Sequence, residues 1–293
     1  MPVSIDNLIA AEQLPASYAA IVDRWWRPLA QQIVQWHSLA GRTLIIGING
    51  AQGSGKSTLC RFLCASLLPE HGVSAAVVSL DDLYLPLAAR ERIAQDIHPL
   101  FRTRGVPGTH DVDAGIALLD DMAAGREALI PRFSKALDDR LPRADWTPHA
   151  GKVDILLFEG WCVGARPQDA ASLIQPLNAL EAQEDAEGIW RRHVNMALQT
   201  SYAQLFSRID HLVMLQPPSF DHVLANRLLQ EHKLRAAAPD APAIMDDAAV
   251  ARFVSHYERV TRHMFADLPA RADIVFQLDA QQNVMSCHRL AGP

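Results

Sequence analysis

The run Gly50-Ala51-Gln52-Gly53-Ser54-Gly55-Lys56-Ser57 has glycines, a lysine and a hydroxyl at the spacing G-x-x-x-x-G-K-[ST]. Glycines let the backbone curl so that successive N–H groups face one anion. A helix starting there adds a partial positive charge. Lys56 can bridge outer phosphates and the Ser57 hydroxyl can hold Mg²⁺. The flanks agree: TLIIGIN before it reads as a strand buried on both faces, and STLCRFLCASLL after it repeats its apolar residues at helical spacing. The rival dinucleotide fingerprint fails, because Gly53-Ser54-Gly55 runs on into Lys56, Ser57 and Thr58 instead of a third glycine. The spacing implies that a nucleoside triphosphate binds here.

Two acidic sites end two further apolar runs. AAVVSL leads into Asp81-Asp82-Leu83-Tyr84, and VDILLF leads into Glu159-Gly160-Trp161. In open α/β sheets ligands bind at the carboxyl ends of strands, so both sites fall beside the phosphate loop if their strands neighbour the first. Transfer of a phosphoryl group to an alcohol needs a base near the hydroxyl and ligands for a metal. Asp81 suits the base, with a possible share in the metal, and Glu159 suits the metal-supporting acid. A turn or cap is the ordinary alternative for Asp81-Asp82. For Glu159 it is weaker, since a bare carboxylate closing an apolar strand is costly unless paired.

The elements that must position these residues alternate between strand and helix, which argues for a parallel sheet covered on both faces. No linker divides the 293 residues, so one α/β domain is expected over residues 1–293. Residues 1–40 are expected to form a helical extension in which Pro28 divides two helices, 101–149 to supply substrate loops and a helix, and 217–247 to hold a helix and then a loop or mobile connection. Residues 187–209 read as one helix, and ADIVFQL as the closing strand. The tryptophans at 25, 26 and 36 read as packing. A net charge of −6 disfavours a nucleic-acid binder, and no run approaches the length of a membrane span. Cys60, Cys64, Cys162 and Cys287 lack metal or disulfide spacing and read as reduced thiols, which with the acidic N-terminal stretch points to the cytoplasm.

GxxGxGKST, then SLDDLY, then LLFEG resembles the P-loop kinases of the phosphoribulokinase, uridine kinase and pantothenate kinase group. The longer strings SLDDLYLP, RGVPGTHDV, PRFSKALDDR, FEGWCVGARP, RLLQEHKLR and HYERVTRHM resemble the plant-type D-glycerate 3-kinases and their bacterial and fungal relatives, in consistent order over roughly residues 41–279. The resemblance implies a three-layer P-loop fold with a mainly parallel sheet, a helical N-terminal extension and a lid segment. It also implies ATP and Mg²⁺ as cofactors, a phosphate cradle from Gly50 to Thr58, Asp81 as base, and metal support from Ser57 and Glu159. Arg104, His110 and Asp111 are then candidates for holding the acceptor. Arg132 and Lys135 could bind its carboxylate, a task that suits a planar arginine fork. Arg227, with Lys233 and Arg235 as alternatives, would neutralise the transferring phosphoryl group from the lid. His256, Tyr257, Arg259 and Arg262 form a further group, in which Tyr257 could simply pack.

The expected reaction is transfer of the γ-phosphate to the 3-hydroxyl of D-glycerate, a small-molecule acceptor. The reaction type comes from the residues and the acceptor from the resemblance. Two alternatives stand beside it: the same chemistry on a nucleoside, pantothenate or another small alcohol, and an NTP-dependent switch or assembly factor. The arginine-rich loops between the second and third strands count against the switch.

Overall fold

The structure is a computed structural model that describes residues 2–237 and 245–290, apart from the side chains of residues 230 and 233–237. Strands β1 (Leu44–Gly50) and β3 (Ile155–Gly160) are buried at every position, as their unbroken apolar runs require. With β2 (Ala75–Ser79), β4 (His211–Gln216), β5 (Ile274–Leu278) and β6 (Val284–Arg289) they form a six-stranded sheet in the order β6-β5-β4-β1-β3-β2. All neighbours are parallel except β6, which returns antiparallel along β5. β6 is an addition to the sequence reading, which ended the sheet at ADIVFQL; its half-exposed, polar-interrupted pattern fits an edge strand.

Side chains leave the sheet alternately to two cores. Leu44, Ile46, Ile48, Ile155 and Leu157 pack under the N-terminal helices and the helix Lys56–Phe62. Ile45, Leu156 and Phe158 pack on the other face with the helices Val112–Ala123, Ile189–Gln199 and Asp247–Asp267. Each such fully buried aliphatic side chain contributes about 1.5–3 kcal/mol. These are the three layers expected. Trp26 meets Phe276 edge-on at 5.1 Å, and Trp36 stacks on His211 at 3.9 Å, so the N-terminal tryptophans pack on the sheet layer. The four cysteines are free thiols, with Cys60 and Cys162 buried. No described helix is long and apolar enough to cross a membrane.

Two helix boundaries differ from the expectation. The N-terminal break falls at residues 12–17, around Pro15, with Gln13 at φ 53°. From Tyr18 to Ala40 the chain is helical throughout, because a π turn at Val22–Trp26 precedes Pro28, which then occupies the first turn of Arg27–Ala40. There its missing N–H leaves no ladder bond broken. Residues 187–209 form two helices, Ile189–Gln199 and Ser201–Phe206, parted at Thr200 (φ −110°, ψ −93°).

The acceptor region carries two short antiparallel ladders, 128–130 with 147–149 and 133–134 with 139–140. The second is a hairpin that folds back over the carboxyl end of β2. Helices Phe220–Ala237 and Asp247–Asp267 pack together, and their Phe220, Val223, Val250 and Val254 enclose Ala51 of the phosphate loop.

Candidate active site

The loop after β1 closes tightly on itself. A Cβ on Gly50 would lie 2.3 Å from Ser54 Oγ and 3.3 Å from Leu215 Cβ, so a larger residue here would have to displace the Ser54 hydroxyl. Ser54 N–H donates to the Ala51 carbonyl at 3.1 Å, and Gly55 gives way directly to the helix that starts at Lys56. The Ser54 hydroxyl and Gln52 Oε1 are buried without hydrogen-bond partners among the described residues.

Register brings Glu159 to this loop. It pairs with Ile48 of β1 on one side and Ser79 of β2 on the other. The residue is 6% exposed; its Oε1 accepts from Ser79 Oγ at 2.9 Å and from Ser57 Oγ at 3.3 Å. Among the described residues Oε2 has no hydrogen-bond donor, and it faces Lys56 Nζ at 3.9 Å. Ser79 is a member of the site that spacing alone does not reveal.

Asp81 lies one short turn beyond Ser79, whose hydroxyl caps its backbone N–H at 3.3 Å. Tyr84 Oη donates to Asp81 Oδ1 at 3.0 Å, and Lys135 Nζ donates to Oδ2 at 2.7 Å. Burial alone would push the Asp81 carboxyl up, but Lys135, followed by Lys56, outweighs it and brings the group down to about 2. Asp81 is a carboxylate across the whole physiological range. Asp82 points the other way: Arg132 binds its Oδ2 at 2.7 Å and the Phe133 N–H binds its Oδ1 at 3.2 Å. Burial still leaves the Asp82 carboxyl raised.

The other acceptor candidates are each tied into the surrounding structure. Arg132 is held by Asp82 and by Thr147 Oγ1 at 2.8 Å, so it pins the hairpin. Asp111 caps the helix Val112–Ala123 through Ala114 N–H and pairs with Arg140 at 2.9 Å. Arg104 pairs with Asp138 and lies over the Phe133 ring at 5.7 Å. His110 stacks on Tyr84 at 4.4 Å and meets Tyr202 Oη through Nδ1. Gly108 N–H donates to the same hydroxyl at 3.1 Å, and His110 Nε2 is buried with no hydrogen-bond partner among the described residues. Burial holds His110 neutral and lowers its pKa to about 3, against the attraction of Asp81.

Arg227 lies on the helix Phe220–Ala237 and pairs with the buried Glu231 at 2.6 Å. The side chains of Lys233 and Arg235 and most of the expected lid connection lie outside the described residues. Arg259 is buried in a two-pronged pair with Glu181 (2.7 and 2.6 Å), and His256 packs edge-on against Trp190, so both are structural. Tyr257 does more than pack. Its hydroxyl donates to the Arg104 carbonyl at 3.0 Å, its ring packs on Trp161, and Trp161 Nε1 donates to the Gly105 carbonyl at 2.9 Å. The helix Asp247–Asp267 is thereby tied to the start of the RGVPGTHD segment.

The site thus has a phosphate cradle, a lysine, a serine–glutamate pair and a hydrogen-bonded aspartate at neighbouring strand ends, an arrangement able to transfer a phosphoryl group. No family model matches the chain. It is 36% identical over 228 residues to the uncharacterized kinase mug58 of Schizosaccharomyces pombe, an alignment covering 74% of this chain and 79% of that one. It is 26% identical over 258 residues to the chloroplastic D-glycerate 3-kinase of Arabidopsis thaliana, covering 82% of this chain and 53% of the plant protein's length. Its fold matches the structure of D-glycerate 3-kinase from Cryptococcus neoformans var. grubii with a TM-score of 0.77 and 22% identity, over 91% of this chain and 99% of that one. The chain belongs to the D-glycerate 3-kinase-like family of P-loop kinases, related to the pantothenate kinases, and is a small-molecule kinase.

Proposed function

We propose that this kinase phosphorylates a small hydroxy acid with ATP, and that its acceptor is the 3-hydroxyl of D-glycerate. The observation that carries this reading is the Asp81–Lys135 pair, which sets a carboxylate base and a cation side by side at the strand ends. A small hydroxy acid offers one group to each. The names of the Arabidopsis and Cryptococcus relatives support glycerate in particular.

Asp81 accepts the hydroxyl proton at Oδ2, while Tyr84 keeps the carboxylate oriented through Oδ1. The acceptor oxygen forms its bond to the γ-phosphorus as the bond to the bridging oxygen breaks, and that electron pair leaves with ADP. Lys56 holds the outer phosphates and stabilises the charge on that leaving group, with Arg227 as the lid cation that joins it. Ser57 Oγ and Glu159 would supply hard oxygen ligands to Mg²⁺, since Oε2 of Glu159 is buried with no hydrogen-bond donor among the described residues. Asp81, the third metal candidate, has both oxygens engaged by Lys135 and Tyr84. When bound, the ion neutralises phosphate oxygens. A cavity of about 190 Å³, lined by Tyr18, Trp26, Ser54, Gly55, Thr58 and Asn283, opens from the loop and suits the nucleobase.

Product analysis tests this reading. The full chain incubated with Mg-ATP and D-glycerate should yield a phosphomonoester whose ³¹P resonance couples to the C3 protons. Coupling to the C2 proton, or no phosphomonoester at all, would overturn the assignment.

A further inference from the structure

We infer that Lys135 is a latch on the base, which an acceptor's carboxylate must draw away before the hydroxyl can reach Asp81. The inference rests on the proposed acceptor class and adds how the site selects it.

The ion pair occupies the oxygen that the reaction needs. Lys135 Nζ lies 2.7 Å from Asp81 Oδ2, and the other oxygen is already held by Tyr84 at 3.0 Å. A hydroxyl that comes to donate its proton meets the ammonium group first. Lys135 can leave, because its side chain is 64% exposed at the hairpin, whereas that of Asp81 is 28% exposed. An ion pair with so exposed a partner is weak and open to competition.

The surroundings make the movement specific to one side chain. The hairpin that carries Lys135 is pinned at its base by Arg132 on Asp82, by Arg140 on Asp111 and by the Leu87 N–H on Asp139 at 2.9 Å. Arg104 is held by Asp138 of the same hairpin. These cations are committed to carboxylates that hold the region together. Lys135 is committed to the reacting group itself. Asp81 stays in position when the latch leaves, since Tyr84 and the backbone bond to Ser79 Oγ remain.

The exchange is balanced for an anionic acceptor. Lys135 passes from one carboxylate to another, and Asp81 is left facing the hydroxyl with Lys56 as its remaining cation. A neutral alcohol of the same length brings nothing to hold the ammonium group, so the latch stays closed. Selection for a carboxylate then appears in turnover as well as in binding.

The test is coupled ADP release by the full chain with saturating Mg-ATP, comparing D-glycerate with glycerol, for wild type, Lys135→Ala and Lys135→Arg. In the wild type glycerate should be turned over far faster than glycerol. Lys135→Ala should raise KM for glycerate by roughly tenfold or more, as loss of a charge-assisted contact does. It should also raise kcat for glycerol several-fold above wild type, and Lys135→Arg should keep the wild-type pattern. A simple carboxylate anchor gives only the rise in KM. Glycerol turnover at or below the wild-type rate in Lys135→Ala, with glycerate still accepted, therefore overturns the latch and leaves the kinase reading intact. No ADP release from the wild type with either acceptor overturns both.

Discussion

Replacing Gly105 by alanine probes the joint between the acceptor loop and the helix Asp247–Asp267. Gly105 has φ +132°, where a side chain costs about 1–3 kcal/mol in backbone strain. Its new Cβ would lie 2.0 Å from the Tyr257 hydroxyl and 2.4 Å from Cζ. The ring has nowhere to go: it is 2% exposed and wedged against Trp161 at 4.9 Å and Phe253 at 5.1 Å. Forcing it aside adds about 1–3 kcal/mol of overpacking. The hydrogen bond to the Arg104 carbonyl is lost as well, at about 1 kcal/mol. The total is about 3–7 kcal/mol, which lowers Tm by on the order of 10 °C for a chain of this size. Thermal unfolding of Gly105→Ala, Tyr257→Ala and the double variant measures it. Because alanine at 257 removes the clash, the double variant should lose clearly less than the sum of the singles. In Gly105→Ala the acceptor KM should rise more than the ATP KM, since the strained segment leads to His110. A Gly105→Ala protein within about 1 kcal/mol of wild type, or strict additivity of the pair, would refute the reasoning.

Three further outcomes are expected. Asp81→Asn keeps the shape and removes the base, so kcat should fall roughly 10²–10⁴-fold with ATP binding unchanged; a loss under tenfold in steady-state turnover would rule out Asp81 as base. Glu159→Gln should raise the Mg²⁺ concentration for half-maximal activity about tenfold or more, and an unmoved metal titration would remove Glu159 from the metal site. Acid should weaken the fold well before carboxylates protonate. Burial lowers His110 to about 3 and His256 to about 4, so both are neutral when folded and protonated in the unfolded chain below about 6.5. The stability they contribute is complete above that pH and declines as pH falls, by about 1.4 kcal/mol per unit for each group. Urea unfolding should show a loss of roughly 3 kcal/mol between pH 6.5 and 5; equal stability at the two would contradict the buried neutral state.

The phosphate loop was legible because its chemistry is local: eight consecutive residues between a strand and a helix. Asp81 and Glu159 were legible as strand-end acids for the same reason. What joins them was not. Ser79 reaches Glu159 through strand register, Lys135 reaches Asp81 across 54 residues, and Tyr257 reaches the Arg104 carbonyl across 153. Arg132 and Lys135, three residues apart, looked equivalent as acceptor cations. Only packing shows that one is tied to Asp82 while the other reaches Asp81. Pro28 misled because proline rules assume an α ladder, and the π turn before it supplies room that composition does not disclose. The edge strand β6 lacks the apolar alternation that identifies strands, since one flank of it has no partner strand.

The central claim is an acceptor-dependent kinase with Asp81 as its base. The most direct measurement is coupled ADP release with Mg-ATP for wild type and Asp81→Ala, each with D-glycerate, L-glycerate, uridine, pantothenate or no acceptor. The account predicts saturable release by the wild type with D-glycerate alone, abolished in the variant. Release that is indifferent to every acceptor, or that survives in Asp81→Ala, would contradict it.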